Sequence, residues 1–484
     1  MSIAKNPKVG HINTTALLIV MLSGSFIATL NQTVISPALP SIMRDLGITA
    51  SDGQWLTTAF MLVNGIMVPI TAYLINKFTT RQLFVAAMLF FSGGTTLAAV
   101  ASSFSVLLGG RILQAMGAGI LMPLIQTVIL LIFPKDKRGS AMGMIGIVMA
   151  FAPAVGPTLA GWIVDSWGWN AIFSIIAPLG FIDILFAFIF LKNVGETSDP
   201  TLDMPSVIFS TLGFGGLLYG FSVAGNIGWT HPETLLTLLI GVVFLVLFIR
   251  RQNRLEEPLL QLKVFTVPIF TYSTILGMIV NAALIAGGII MPIYLQSVIG
   301  FKAVQTGLLM LPGAVLMGVM SPITGKLFDK YGPRGLSLSG LTIMTLGTMF
   351  FVFCDETFGF YTLMAVYTFR SLGMSMVFMP ITTWGMNSLD NSLIAHGGAA
   401  SNTMRSIAGS IGTAILITIM TIGTNSRAEL GFVQSTLFGM HAAFFCATLL
   451  CFVALIIAFL YVKDDDAAKE RRKRRELCKD CYIE

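Results

Sequence analysis

Charged side chains are scarce in this sequence. Its 484 residues include 29 Lys and Arg and 23 Asp and Glu, so that charged residues make up 11% of the chain. Soluble globular proteins carry about 25% charged residues. With 55% apolar residues, the chain cannot provide a surface that faces water everywhere, which excludes a soluble enzyme or a secreted domain. A disordered chain is excluded by the same composition. The remaining class is a membrane protein.

Cysteines and catalytic motifs are also few. Five cysteines are an odd number without framework spacing, so a disulfide scaffold is not expected, and the lone CxxC of Cys478 and Cys481 has no partner pair for zinc. The sequence lacks GxxxxGK[ST] and HExxH, which excludes ATP-driven transport by this chain and a zinc-peptidase site. We therefore expect no cofactor and no metal. The net charge of +6 is divided among segments between apolar blocks, so nucleic acid is not an expected partner.

What the sequence does contain is long apolar blocks. About 20 apolar residues are needed for a helix to cross a bilayer. Fourteen blocks reach that length, which predicts an all-α polytopic membrane protein. They lie at 14–36, 55–75, 82–101, 106–131, 141–164, 171–191, 205–225, 233–250, 269–291, 305–324, 335–353, 360–382, 400–421 and 440–462.

The basic residues predict the orientation of these spans. With the N-terminus inside, the inner segments and the C-terminal tail contain 24 Lys and Arg, including Arg405 as the start of the thirteenth span. The outer segments contain three, which are Arg44, Lys302 and Arg427. Because basic residues accumulate on the cytoplasmic side, we expect a protein of the cell membrane with both termini in the cytoplasm.

Two connecting loops resemble each other and indicate a duplication. The loop after the second span reads AYLINKFTTR (72–81), and the loop after the tenth reads GKLFDKYGPR (325–334). An intramembrane arginine follows each loop, Arg111 in the fourth span and Arg370 in the twelfth, so that Arg370 is expected to mirror Arg111. The predicted domains are an N-terminal segment (1–13), a six-helix half (14–191), an inserted two-helix hairpin with its linker (192–268), a second six-helix half (269–462) and a basic tail (463–484). A duplicated bundle with a site between its halves is typical of secondary transporters.

Several motifs in both halves resemble one family. These are LNQTVISPALPSIM (30–43), QWLTTAFML (54–62), the two loops, GRILQAMGAG (110–119), APAVGPTLAGW (152–162), LPG (311–313) and SNTMRSIAGSIGTA (401–414). In this order they are similar to the major facilitator superfamily, in its fourteen-helix drug:proton antiporter branch of the EmrB/QacA type and its LmrB-like lincomycin-resistance exporters. The resemblance implies the major facilitator fold with 6 + 2 + 6 helices, and a transporter rather than an enzyme.

The resemblance also implies roles for motif residues. Arg111 would couple proton movement to substrate movement, although a buried arginine could instead reach the outer interface. Gly146, Gly156, Pro157 and Gly161 match the antiporter motif, whose small residues let helices pack closely. Conformational roles fall to Asp329 and Arg334 in the second loop and to Asn76 and Arg81 in the first. Asn76 replaces the usual aspartate, so the first loop should form the weaker latch.

The proton carrier is predicted from the position of one carboxylate. Many relatives carry an aspartate where this chain has Asn31, which cannot titrate. Of the 23 carboxylates, only Asp183 falls deep inside a span, about 13 Å from one end and 21 Å from the other at 1.5 Å per residue. We expect Asp183 to exchange protons during the cycle, within reach of Arg111. The alternative is a structural aspartate that bonds to neighbouring hydroxyl groups or amides.

Polar residues within spans are the candidates for a substrate cavity. Uncharged amides suit such a cavity, and Arg370 would meet a polar or anionic substrate or else bond to carbonyl groups. The predicted cavity residues are Asn31, Gln32, Gln114, Gln126, Asn281, Gln296, Arg370 and Asn402.

Three functions are compatible with these patterns. The first is a proton-driven exporter of lipophilic or amphipathic compounds, and the second is a dedicated transporter of an endogenous lipid-like compound or metabolite. The third, a membrane sensor or assembly factor that does not transport, fits an intact duplicated core poorly. The expected partners are small lipophilic substrates, protons and membrane lipids, and a monomer is expected.

Overall fold

The computed structural model describes residues 13–195 and 197–464. Within these residues the chain forms helices and no strand. The α-helices are α1 (Thr14–Thr33), α2 (Ile35–Leu46), α3 (Ala50–Lys77), α4 (Thr80–Ala99), α5 (Phe104–Ile132), α6 (Arg138–Trp167), α7 (Asn170–Phe190), α8 (Met204–Ile227), α9 (Pro232–Gln252), α10 (Pro268–Ile293), α11 (Ala303–Tyr331), α12 (Pro333–Phe350), α13 (Phe360–Asn387), α14 (Ile394–Ser426) and α15 (Phe432–Tyr461). The basic run and the CxxC of the tail, and residues 1–12, lie outside the described part.

Fourteen of the described helices are long, which confirms the predicted all-α fold. Thirteen of them are long and apolar enough to cross a membrane. The remaining long helix, α12, has 18 residues and begins with Pro333 and Arg334, which lowers its mean hydropathy. The short helix α2 was not predicted. It follows α1 after Val34 and ends where Gly47 takes a left-handed conformation (φ 62°), so the first span ends at Thr33 rather than at residue 36.

Polar side chains fix where several long helices begin. Thr49 and Asp52 form a reciprocal capping box at the start of α3, and Thr79 and Gln82 form one at the start of α4. The Asn13 side chain accepts a hydrogen bond from the Ala16 amide at the start of α1 (3.2 Å). Because the first amides of a helix have no partner within it, these side chains satisfy donors where the chain enters the helix.

The same helix packing occurs in both halves. Helices α1 and α3–α7 form the first half, α10–α15 form the second, and α8 with α9 form the inserted hairpin. In the first half Gly117 of α5 packs against the backbone of Ala87 and Phe91 in α4, and in the second half Gly373 of α13 packs against Gly340 and Met344 in α12. Ala87 and Gly340 are each the eighth residue of their helix. The two halves therefore share one helix register.

Contacts between loops define the two ends of the bundle. At one end, Lys135 in the α5–α6 loop donates a hydrogen bond to the carbonyl of Asn387 at the end of α13 (3.0 Å). We call this the basic end, because the loops rich in Lys and Arg lie there. At the opposite end, the far end, Asn170 at the start of α7 donates to the carbonyl of Ala99 at the end of α4 (3.2 Å).

The two halves meet along two seams that differ in construction. On one side α6 packs directly against α11, and the backbones approach closely, since a Cβ atom on Gly143 would lie 2.5 Å from the carbonyl oxygen of Ser321. On the other side α3 meets α14, and α8 packs against both of them. The inserted hairpin is thus part of the second seam.

Candidate functional site

A cavity of about 360 Å³ lies beside the second seam. Five helices enclose it, and its lining residues come from the parts of α1, α3, α8, α10 and α14 that point toward the far end. Among the described residues, none of those that line it is an Asp, Glu, Lys, Arg or His. They are Gln32, Gln54, Thr58, Met61, Leu62, Asn64, Leu218, Tyr219, Phe221, Ser222, Gly225, Ile285, Ile289, Ser406, Gly409, Ser410, Thr413, Ala414 and Ile417.

Of the eight residues predicted to form this cavity, the structure places only Gln32 in its wall. Gln296 lies exposed in the turn that follows α10. The other six bond to neighbouring helices behind or below the wall, because a buried amide or guanidinium needs hydrogen-bond partners. Sequence position alone could not separate wall residues from those of the layer behind.

Arg111 lies in that layer, fully buried in α5. Its Nε donates to the carbonyl of Leu56 in α3 (3.2 Å), and its Nη1 donates to Gln114 Oε1 (2.9 Å) and the Asn31 carbonyl (3.4 Å). The guanidinium carbon lies 4.3 Å from the ring centroid of Phe60. The side chain therefore does not extend to the outer interface but joins α5 to α1 and α3, the two helices that carry Gln32 and Gln54.

Arg370 does not mirror Arg111 in the structure. Its Nε donates to Thr348 Oγ1 (3.1 Å) and its Nη2 to the carbonyl of Ala283 (2.8 Å). Gln114 donates in the same way to Thr95 Oγ1 (3.1 Å), and Thr95 and Thr348 are each the sixteenth residue of their helix. The equivalent of Arg370 is therefore Gln114, one helical turn from Arg111.

A third arginine buried deep within a long helix, Arg405, was missed as a site residue. Helix α14 begins at Ile394 rather than at residue 400, so Arg405 lies about 17 Å from its start at 1.5 Å per residue. Its Nη1 donates to Thr382 Oγ1 (2.9 Å) and its Nη2 to Asn402 Oδ1 (2.5 Å). Moving Arg405 into the membrane reduces the inner count of basic residues to 23. Asn281 Nδ2 donates to the Arg405 carbonyl (2.8 Å).

Asn402 also connects the two halves. Its Nδ2 donates to Gln126 Oε1 in α5 (2.8 Å) and to the carbonyl of Gly398 (2.9 Å). The pair lies closer to the basic end than the cavity wall at Ser406 does, and so joins the halves between the cavity and the basic end.

Asp183 is buried in α7 and faces α1. Its Oδ1 accepts a hydrogen bond from Ser23 Oγ (2.6 Å), while Oδ2 has no hydrogen-bond partner among the described residues. A Cβ atom on Gly24 would lie 2.7 Å from Oδ2, so the carboxylate packs against the α1 backbone. Ser23 and the Arg111 partner Asn31 are eight residues apart, about 12 Å along the helix. The structure therefore does not pair Asp183 with Arg111, and α1 is the element that links them.

Asp329 closes the basic end at the first seam. Its two carboxylate oxygens accept hydrogen bonds from the amides of Gly139 (2.8 Å) and Ser140 (2.7 Å) in the first turn of α6. A negative charge at a helix N-terminus is also favoured by the helix dipole. Beside it, Arg138 Nη1 donates to Asn387 Oδ1 (3.2 Å).

The first loop makes the corresponding contact at the second seam. Asn76 occupies the loop position of Asp329, and its Nδ2 lies 3.2 Å from His396 Nε2 in the first turn of α14. His396 Nδ1 accepts from the Gln261 amide (3.2 Å), so Nε2 carries the proton of the neutral ring, and the Asn76 amide accepts that proton with its carbonyl oxygen once the amide is flipped. An uncharged pair here replaces the carboxylate found at the first seam.

The two loop arginines do not cross between the halves. Arg81 lies over the ring of Phe188 within its own half (5.2 Å). The Arg334 amide donates to Asp464 Oδ1 (3.0 Å), which joins the start of α12 to the chain after α15.

The antiporter motif residues have different surroundings. Gly146 packs on Ser321 of α11, and Gly156 packs on Thr33 of α1. A Cβ atom on Gly161 would have no neighbour within 4 Å, and Pro157 is exposed on the helix surface. Gly146 and Gly156 therefore allow α6 to pack closely against α11 and α1, whereas Gly161 and Pro157 make no such close contact.

Comparisons with known proteins agree with this architecture. The chain is 47% identical over 462 residues to the MFS-type transporter YcnB of Bacillus subtilis, covering 96% of this chain and 98% of YcnB. It is 40% identical over 453 residues to the lincomycin resistance protein LmrB of the same organism, covering 92% and 95% of the two chains. The crystal structure of the human organic anion transporter MFSD10 matches in fold, with a TM-score of 0.67, 12% identity and coverage of 93% and 100%.

The family model for the Major Facilitator Superfamily matches residues 21–413. This range contains most of both halves and the whole inserted hairpin. It includes the cavity wall except for Ala414 and Ile417, and the buried arginines Arg111, Arg370 and Arg405. The chain therefore belongs to the major facilitator superfamily and is a multi-pass membrane transporter.

Proposed function

We propose that this transporter is a proton-driven exporter of lipophilic or amphipathic compounds in the cell membrane. The observation that carries the proposal is the position of the cavity, which lies toward the far end while polar contacts between the halves close the basic end. The similarity to a lincomycin resistance protein supports export of drug-like compounds. Its working unit is a monomer, because one chain supplies the cavity wall.

The distribution of basic residues supports an inward-facing basic end. With Arg405 inside the membrane, 23 basic residues fall on this side and three on the other. Cytoplasmic loops are enriched in Lys and Arg. The structure then corresponds to a state closed to the cytoplasm, with its cavity directed outward.

Loading from the cytoplasm requires the basic-end contacts to open. The contact of Asp329 with α6, the Asn76–His396 pair and the Asn402–Gln126 bridge all join one half to the other, so they break together when the halves rock. Substrate then enters from the cytoplasm or the inner leaflet. Closing these contacts again directs the site outward, as alternating access demands.

Asp183 supplies the proton-binding group in this cycle. A carboxylate buried in the membrane is costly when ionised, which favours exchange of a proton during transport. Its free Oδ2 is the atom that receives the proton, while Oδ1 holds Ser23. Because Ser23 shares α1 with Asn31 and Gln32, protonation changes how α1 is held between α7, Arg111 and the cavity.

The test is transport by the full chain in liposomes with an imposed pH gradient. A panel of cationic, neutral and anionic lipophiles should include compounds whose movement follows the gradient. We expect Asp183→Asn to abolish gradient-driven transport while the protein still binds substrate. The matched control is Asp165→Asn, which removes an exposed carboxylate near the end of α6 and should leave transport unchanged.

Two outcomes would contradict the proposal. Proton-coupled transport by Asp183→Asn at the wild-type rate would exclude Asp183 as the carrier. Transport of a single metabolite, with no response to any of the other lipophiles, would favour the dedicated transporter instead.

A further inference from the structure

We infer that the inserted hairpin is part of the substrate site and that the site takes uncharged amphipathic compounds with several hydroxyl or amide groups. This inference rests on the proposed function and specifies its substrate class. Helix α8 forms one wall of the cavity through Leu218, Tyr219, Phe221, Ser222 and Gly225. Without α8, the cavity would be open to lipid between α3 and α14.

The far end of the hairpin is attached to both halves. The ring of Tyr219 stacks on Trp55 of α3, with centroids 5.5 Å apart and planes 22° apart. Trp229, in the turn between α8 and α9, donates from Nε1 to Thr418 Oγ1 of α14 (2.8 Å). The ring stack and the hydrogen bond together hold α8 across the second seam, beside the cavity.

The other end of the hairpin is fixed by a separate set of contacts. Arg251 at the end of α9 forms two hydrogen bonds of 2.6 Å with the carboxylate of Asp203, the residue before α8. This guanidinium holds the pKa of the Asp203 carboxyl well below its usual range. Gln252 donates to Ser206 Oγ (2.6 Å) and accepts from the Leu260 amide (3.1 Å). With both ends held, α8 is a fixed wall rather than a loosely attached addition.

The chemistry of the lining predicts the substrate class. Amide and hydroxyl groups come from four of the five helices, including Gln32, Asn64, Ser222 and Thr413, among apolar side chains. No carboxylate among the described lining residues could pair with a cation. Uncharged hydrogen-bonding groups among apolar residues select compounds that carry matching donors and acceptors.

The charges behind the wall act in the same direction. Arg111, Arg370 and Arg405 are buried, and they donate hydrogen bonds to carbonyl, amide and hydroxyl oxygens. Asp183 is the one acidic residue buried within the described helices. Buried charges are weakly screened, so the three cations oppose entry of a permanent organic cation.

The experiment compares α8 variants in binding and in transport. Purified full-length chain is titrated with Nile red as a neutral probe, ethidium as a cation and carboxyfluorescein as an anion. Phe221→Ala and Tyr219→Ala should raise the Kd for Nile red about tenfold, the loss typical of an altered apolar pocket contact. Leu212→Ala removes a side chain from the exposed face of α8, where Leu212 is 39% exposed, and should leave the Kd unchanged. Melting temperatures identify any variant that has lost its fold, and Tyr219→Phe, which keeps the ring, should bind like wild type.

The outcomes separate this inference from the proposed function. If the wild type moves probes down a pH gradient but Phe221→Ala binds and transports like Leu212→Ala, the role of the hairpin is overturned and the exporter stands. If the wild type binds Nile red through α8 but moves no probe with the gradient, the exporter fails and the binding site stands. Ethidium or carboxyfluorescein binding as tight as Nile red binding, or no displacement of Nile red by a neutral compound that carries several hydroxyl and amide groups, would overturn the assigned substrate class.

Discussion

Replacing Asp329 by asparagine should open the basic end of the transporter. The carboxylate of Asp329 accepts two amide hydrogen bonds from the first turn of α6, at 2.8 and 2.7 Å. Asparagine keeps one oxygen to accept from one amide. Its NH2 group then faces the other amide as a second donor, so one contact is lost and the charge is removed from the helix N-terminus.

The size of the effect follows from these contacts. A hydrogen bond to a charged group contributes about 1.5–3 kcal/mol, and a charge at a helix N-terminus contributes about 0.3–1 kcal/mol. Losing one such bond and the charge should therefore cost the closed state about 2–4 kcal/mol. At tenfold per 1.4 kcal/mol, the ratio of closed to open molecules falls roughly 30- to 700-fold. A shift of that size is large for a carrier that visits both states in each cycle.

Distances between spin labels measure this ratio directly. Lys137→Cys and Asp390→Cys place labels on exposed positions of opposite halves at the basic end, in a chain whose five native cysteines are replaced by serine. The parent should give mainly one short distance, and Asp329→Asn should add a major population at longer distance. Glu257→Gln, an exposed carboxylate of the α9–α10 linker, is the control. If Asp329→Asn gives the same distribution as that control, the carboxylate does not hold the halves together.

Two further predictions concern the seam and the hairpin. Gly143→Val places a side chain against the α11 backbone and should lower the folding stability by about 1–3 kcal/mol through overpacking. Gly161→Val, at a site with no neighbour within 4 Å, should leave the stability unchanged. Melting temperatures in detergent compare the two variants, and equal values would contradict the packing argument. Asp203→Asn should lower the melting temperature at pH 7, because it removes the contact with Arg251. The pKa of Asp203 is lowered in the folded protein, so the wild type keeps this stabilisation above the ordinary carboxyl pKa and loses it only in strong acid. The difference in melting temperature between wild type and Asp203→Asn should therefore stay the same from pH 7 to pH 5.

The number of spans and the duplication could be predicted from the sequence because both depend on patterns along the chain. The long apolar blocks predicted fourteen helices, and the two related loops predicted two halves. The family and the transporter class are confirmed by the family match over residues 21–413. The division into domains and the roles of the site residues stay predictions.

Positions around a helix could not be predicted in the same way. Membrane helices such as α5 are apolar on every side, so hydrophobic periodicity does not report which face meets the cavity. This is why Gln114 and Gln126 were expected in the wall, although they bond to other helices behind it. The offset between Arg111 and Arg370 has the same origin. A one-turn difference in register between α5 and α13 is recognised only from the helices that pack against them, α4 and α12. Arg405 was missed because polar residues in the first two turns of α14 moved the predicted start of that span.

The contrast between the two seams has a mechanical consequence. Along α6 and α11 glycines bring the two backbones into contact, with Gly143 against Ser321 and Gly139 against Gly325, so the helices can pivot on each other there. Along α3 and α14 a third helix with aromatic attachments bridges the gap. The two halves would therefore rotate about the first seam, and α8 would have to bend, slide or release one of its two attachments in every transport cycle.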